Sequence, residues 1–324
     1  MHLNLKAKSK KKMPLTLALI VALFSLPLKA DTPSKKTEIV VQRDIAYRQG
    51  ASKAWKLDLA FPKEVAKGKP RPVILVIHGG GWLEGDKSSF VFTDRSSPAN
   101  IIDLARLGFV AATINYRMSA EAPFPAALED CKNAVRWLRA HASDYNLDPS
   151  LIGAYGNSAG GHLAILLAMV PKSAGLEGNG PFQDQSSLVQ AAASDSGPID
   201  LVAGARSSQI SEVIQRFLGG MPEGDRLKLY RQASPLAYIN KETPALLLIY
   251  GASDMQVPVL SADEFVLALS KAGAADITYH RLAFVDHCPH SLVAIPELQT
   301  VVNDFFLRTL MHPETARSVR RWQR

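Results

Sequence analysis

Gly156-Asn157-Ser158-Ala159-Gly160 has the spacing G-x-S-x-G, which sets a serine on a sharp strand-to-helix turn with its hydroxyl exposed above a sheet. The surroundings agree with that reading: the apolar run Leu151 to Tyr155 precedes the pentapeptide, and a helical stretch from Gly161 to Leu167 follows it. The bland alternative is a glycine-rich turn with a helix-capping serine. A nucleophilic serine also needs main-chain donors aimed at a developing oxyanion. His78-Gly79-Gly80-Gly81-Trp82 supplies a candidate directly after the apolar strand Pro72 to Ile77, with a plain glycine turn or an anion-binding loop as the alternative, and the Ala159 N–H at a helix start should complete the set.

The acid and base should follow in the order Ser, Asp or Glu, His, each in a loop after a later strand. Asp254, just beyond the apolar run Ala245 to Tyr250, is the favoured acid, with Asp195 and Asp200 as fallbacks. Asp286 adjoins the base, and adjacent side chains diverge. The loop Phe284 to His290 offers two histidines. His287 lies nearer the preceding strand and is the favoured base; His290 is the alternative, or a helix cap or substrate contact. His162, one helical turn past Ser158, is expected to pack beneath the site, with His141 at a helix end and His280 on a strand surface.

These residues need a frame. From residue 38 the chain alternates β-rich runs with amphipathic stretches, the pattern of one mostly parallel sheet covered by helices on both faces. Strands are expected around Glu38 to Tyr47, Trp55 to Phe61, Pro72 to His78, Phe109 to Tyr116, Leu151 to Tyr155, Val189 to Asp195, Ala245 to Tyr250 and Ile277 to Leu282. The second alternates, which suits a half-exposed antiparallel pair of early strands at the sheet margin; the third and seventh are continuously apolar, as central strands should be. Helices are expected at Ala99 to Leu107, Ala126 to Ser143, Ser158 to Met169, Ile210 to Leu218, Ser261 to Ala272 and Ser291 to Met311. Stretches 171–187 and 203–242 look irregular and are candidates for insertions or a small cap.

The chain has 324 residues and a formal charge of +7, which would suggest an anionic partner. Six lysines in the first thirty residues and four arginines in the last eight account for ten positive charges, so the stretch between them carries −3. The signal for nucleic acid disappears. The lysine-rich start, the apolar run Pro14 to Leu28 and the close at Leu28-Lys29-Ala30 read as a signal peptide, 1–30, cleaved after Ala30. That implies an extracytoplasmic protein, periplasmic or secreted, with a catalytic domain over 31–311, a basic tail over 312–324 and no membrane contact beyond the export signal. An uncleaved N-terminal anchor is the alternative. Two cysteines, Cys131 and Cys288, allow at most one bridge; Cys131 shares an apolar helical face with Leu128, Val135 and Leu138, which favours a buried thiol. Two separated thiols make no metal site.

Taken together, the chain resembles the α/β-hydrolase superfamily, and within it the bacterial esterase/lipase group with a His-Gly-Gly-Gly-Trp motif. The likeness spans nearly all of residues 38–310. It extends to Gly85-Asp86-Lys87, Asn115-Tyr116-Arg117, Pro125-Ala126-Ala127 with Asp130, Ser158 to Leu163, Ala233-Ser234-Pro235 and Asp254 with Val257-Pro258. The resemblance implies an α/β-hydrolase fold with a central sheet of about eight strands. It also implies Ser158 as nucleophile, Asp254 and His287 as acid and base, and Gly80, Gly81 and Ala159 as oxyanion donors. His78 and Trp82 would support the loop, and Arg117 with Asp130 would form a structural ion pair near the site. One departure stands out: relatives show His-Gly-Phe at the base, and this chain reads His287-Cys288-Pro289-His290.

The expected chemistry is two-step acyl transfer through an acyl-enzyme, needing no metal and no organic cofactor. A histidine base of ordinary pKa, about 6.5, implies a rate that rises between about pH 6 and 8. The expected partner is a small-molecule or polysaccharide ester, with short-chain acyl groups such as acetyl or feruloyl. Alternatives are a formamide hydrolase of the kynurenine-formamidase sort and a non-catalytic binding protein on the same scaffold. Oligomeric state leaves no signature in the chain.

Overall fold

A computed structural model describes residues 38–63, 69–91, 100–293 and 295–312. The proposed signal peptide and nearly all of the basic tail lie outside these residues. Eight strands form one sheet: β1 (Ile39–Ala46), β2 (Lys56–Pro62), β3 (Arg71–Ile77), β4 (Val110–Ile114), β5 (Leu147–Asn157), β6 (Ala191–Asp195), β7 (Ala245–Gly251) and β8 (Ile277–Leu282). Their spatial order is β1-β2-β4-β3-β5-β6-β7-β8. β1 and β2 run antiparallel to their neighbours, and every pair from β4 to β8 is parallel. This is the α/β-hydrolase fold.

The central strands are continuously apolar because both of their faces are covered. Along β3, Val73, Leu75 and Ile77 enter one core with Leu128 of α2 (Ala126–Ala140), Leu163 of α3 (Ala159–Met169) and Phe265 of α7 (Val259–Ala272). Ile74 and Val76 enter the other, with Leu104 of α1 (Ile101–Arg106) and Phe305 of α8 (Pro296–Phe306). Each fully buried aliphatic side chain of this kind contributes about 1.5–3 kcal/mol.

Two sequence expectations are corrected here. β2 is not half-exposed: Asp58 is buried, and its Oδ1 lies 2.7 Å from Lys87 Nζ. The antiparallel pair β1 and β2 does lie at the sheet margin as expected, but β1 covers the outer edge of β2 and is the exposed member. The stretch 203–242 is also far from irregular, since it carries most of α4 (Leu201–Ser207), α5 (Ser211–Leu218) and α6 (Arg226–Ala233). α4 is short, but Asp200 Oδ1 accepts the N–H groups of Val202 and Ala203 and caps it. α6 is mostly polar, which hid it. It is pinned by Tyr230, whose hydroxyl donates to the Gly220 carbonyl at 2.7 Å.

The last helix also begins later than expected, at Pro296. A proline at the first helical position suits its fixed φ and missing N–H, and it holds Ile295 extended (ψ 113°). Residues 291–293 are thereby left free to reach the edge where the parallel strands end. Cys131 and Cys288 are both buried and unbridged.

Candidate active site

Parallel strands deliver their following loops to one edge, so the turns after β3, β5, β7 and β8 meet although they are far apart in sequence. Ser158 sits between β5 and α3 with φ 50° and ψ −120°, a conformation that strains a residue with a Cβ. The strain is held by its surroundings. Ser158 N–H donates to the Asp195 carbonyl at 2.7 Å, and the Ser158 carbonyl accepts His162 N–H at 3.0 Å. Gly160 lets the turn press on the sheet, for a Cβ there would lie 2.1 Å from the Ile77 carbonyl oxygen.

His287 Nε2 lies 3.0 Å from Ser158 Oγ, and His287 Nδ1 lies 2.6 Å from Asp254 Oδ2. Asp254 Oδ1 accepts the N–H groups of Gln256 and Val257 at 2.9 and 2.8 Å. With both acceptor oxygens so placed, the carboxylate holds the imidazole with its proton on Nδ1. The lone pair on Nε2 is then directed at the serine hydroxyl. Such an arrangement can take a proton from Ser158 as its oxygen attacks a carbonyl carbon.

Beside the serine, Gly80, Gly81 and Ala159 line a cavity of about 940 Å³. Gly80 has φ 97°, and a Cβ there would fall 2.1 Å from the Glu84 carbonyl oxygen, so this loop conformation requires glycine. Ala159 is the first residue of α3, where N–H groups have no partner within the helix. His78 and Trp82 support the loop from behind. The His78 ring stacks on Tyr116 at 4.5 Å between centroids, its Nδ1–H donates to the Gly79 carbonyl, and the Tyr116 hydroxyl donates to the His78 carbonyl. Trp82 is fully buried, stacked on Phe217 of α5 at 4.2 Å and edge-on to His162 at 5.2 Å.

Residues 57–269 match the BD-FAE family. The chain belongs to that family. Among curated proteins, it is 31% identical over 245 residues to esterase LipQ and 30% identical over 265 residues to the probable carboxylic ester hydrolase LipM, both of Mycobacterium tuberculosis. These alignments cover 75% and 80% of this chain but only 56% and 60% of the relatives' lengths. Among solved structures, a bifunctional GH43-CE protein of Bacteroides eggerthii superposes with a TM-score of 0.71 at 29% identity, covering 83% of this chain and 38% of that one.

In this BD-FAE chain the other sequence candidates have side chains engaged in other contacts. His290 is fully buried and turned away from the serine: Nδ1 is 2.8 Å from the Tyr155 hydroxyl and Nε2 is 3.3 Å from Gln299 Oε1. Asp200 caps α4, Asp286 accepts the main-chain N–H of His287, and Asp195 binds His290 and Ser291. Arg117 and Asp130 form a bidentate pair at 2.8 and 2.9 Å, and Asp130 also accepts from Trp55 Nε1. The pair does not line the cavity; it fixes the backbone next to Tyr116. Sequence reasoning missed the contribution of α5, which brings Val213 to the cavity wall with Ile210 just before it. The signal was present in the apolar spacing Ile210, Val213, Ile214, Phe217.

Burial gives this site an acid-sensitive underside. It pushes His162 and His290 down to about 4 from an ordinary 6.5 and lowers His78 as well. Between those values the unfolded chain binds protons that the folded chain refuses, so stability falls as pH falls from about 6.5 to 4. Each of His162 and His290 contributes a loss of roughly 3 kcal/mol across that window. Asp195 opposes them, because burial raises it from 3.8 to about 6 and the folded chain gains a proton there. With histidines outnumbering the acid, denaturant midpoints at pH 7, 5.5 and 4 should decline steadily; a flat series would contradict neutral buried histidines.

Proposed function

We propose that this chain is an exported serine carboxylic ester hydrolase that acts on short-chain esters, acetyl or feruloyl groups on polysaccharide among them. The observation that carries the reading is the hydrogen-bonded series Asp254, His287, Ser158 opening into a glycine-walled cavity. His287 takes the proton of Ser158 as Oγ attacks the ester carbonyl. The oxyanion rests on the N–H groups of Gly80, Gly81 and Ala159. Collapse of the tetrahedral intermediate expels the alcohol, which receives the proton from His287. Water, activated by the same imidazole, then releases the acid from Ser158.

The names of LipQ and LipM support ester hydrolysis, and the family match together with the GH43-CE neighbour supports a carbohydrate-borne ester. Export rests on the reading of residues 1–30. The deciding experiment is a panel of p-nitrophenyl esters from acetate to palmitate, with methyl ferulate, acetylated xylan and N-formylkynurenine. Highest kcat/KM on the acetate and ferulate members is the expected result. Preference for the formamide, or silence across the panel, would sink it.

A further inference from the structure

We propose that Asp195 is a positioning residue that holds the base loop against the nucleophile turn. The inference rests on the hydrolase reading above, though its test does not depend on the substrate. Asp195 closes β6, which lies between β5, the strand leading to Ser158, and β7, the strand leading to Asp254. Its main-chain carbonyl accepts the Ser158 N–H at 2.7 Å and the Cys288 Sγ–H at 3.5 Å. Its fully buried carboxylate faces the other partner. Oδ2 accepts the Ser291 N–H and Oγ–H at 2.8 and 2.7 Å, and Oδ1 accepts the His290 N–H at 3.3 Å. The next residue joins in: Ser196 Oγ accepts the Cys288 N–H at 3.0 Å.

One end of one strand therefore grips the nucleophile turn with its main chain and the residues after His287 with its carboxylate. The grip explains how the loop tolerates Cys288 at φ 54°, where glycine is preferred. It also explains how His287 Nε2 stays within 3.0 Å of Ser158 from a loop of its own. Misplacement of a reacting group by about 1 Å can cost about 100-fold in rate. A carboxylate suits this role better than an amide because all three bonds come from donors. The groups around it are Tyr155 from β5, Tyr250 from β7, and His287, Cys288 and His290 from the loop, with Asp254 beyond His287 and Cys288. Burial lifts Asp195 to about 6, against the bonds from Ser291 and His290 and the charge of His287. Below that pH the carboxyl gains a proton and the grip loosens.

The test compares full-length wild type with Asp195→Asn and Ser291→Ala. The measurements are kcat and KM on p-nitrophenyl acetate as a function of pH, the rate at which a fluorophosphonate captures Ser158, and the thermal midpoint. Asp195→Asn should lower kcat and the capture rate together by about 10- to 100-fold with KM nearly unchanged. It should also make the fall of log kcat/KM below pH 6 shallower than in wild type. Ser291→Ala removes one bond of three and should lose about 3- to 10-fold. A folded Asp195→Asn protein with a capture rate within twofold of wild type and an unchanged acid slope overturns the proposal. If Asp195→Asn does not fold, an unchanged capture rate in Ser291→Ala overturns it instead. Should wild type label but turn over no ester, the hydrolase reading fails while the capture rates still decide the role of Asp195.

Discussion

Ser158→Ala is expected to lower kcat on p-nitrophenyl acetate by about 10⁵- to 10⁶-fold, with fluorophosphonate capture abolished. The size follows from the division of labour in the site. Removing Oγ leaves His287 with a hydroxyl-shaped gap 3.0 Å from Nε2, and the only remaining route is direct attack by water. Residual rate above the background would come from the N–H donors of Gly80, Gly81 and Ala159, which the substitution leaves in place. Folding should be preserved, since alanine at this position inherits the same φ near 50° and the same main-chain bonds. A loss smaller than 100-fold with intact folding would mean that Ser158 is not the nucleophile.

The second large effect is expected from Asp254→Asn, at about 10⁴-fold in kcat. Oδ1 of Asp254 accepts two main-chain N–H groups, from Gln256 and Val257, so the amide oxygen of an asparagine must take that place. Its NH₂ then faces His287 Nδ1 and can only donate. The imidazole answers by carrying its proton on Nε2, against the Ser158 hydroxyl, where a lone pair is needed. Geometry survives and chemistry does not. The check is kcat and KM at pH 7 beside the thermal midpoint: a large fall in kcat with a similar midpoint supports the orienting role. A loss below 10-fold would return attention to another acid.

Much of this site was legible without coordinates because its requirements are local. A nucleophile on a strained turn needs glycine beside it, and an amide cradle needs glycine within it. Gly160, with a main-chain oxygen where its Cβ would be, and Gly80 at φ 97° are such positions. The meeting of Asp254 and His287 was legible at the level of the loop, since parallel strands send their trailing loops to one edge. The two apolar faces of β3 announced a central strand for the same kind of reason.

The choice among near neighbours was of another kind. His287 and His290 share a loop, and only the grip of Asp195 on residues 290 and 291 decides which ring meets Ser158 and which is buried against Tyr155. Asp58 reads as the solvent side of an alternating strand until β1 and Lys87 close over it. α6 shows no strong apolar face, and its place is set by Tyr230 reaching Gly220 across a turn. The sequence alone determined what can be written into one turn or one strand: the strained serine, the glycine cradle and the doubly covered β3. Tertiary structure decided how loops far apart in the chain settle on one another, because long-range hydrogen bonds and burial assign a role to one of several chemically equivalent side chains, and no local pattern records that choice.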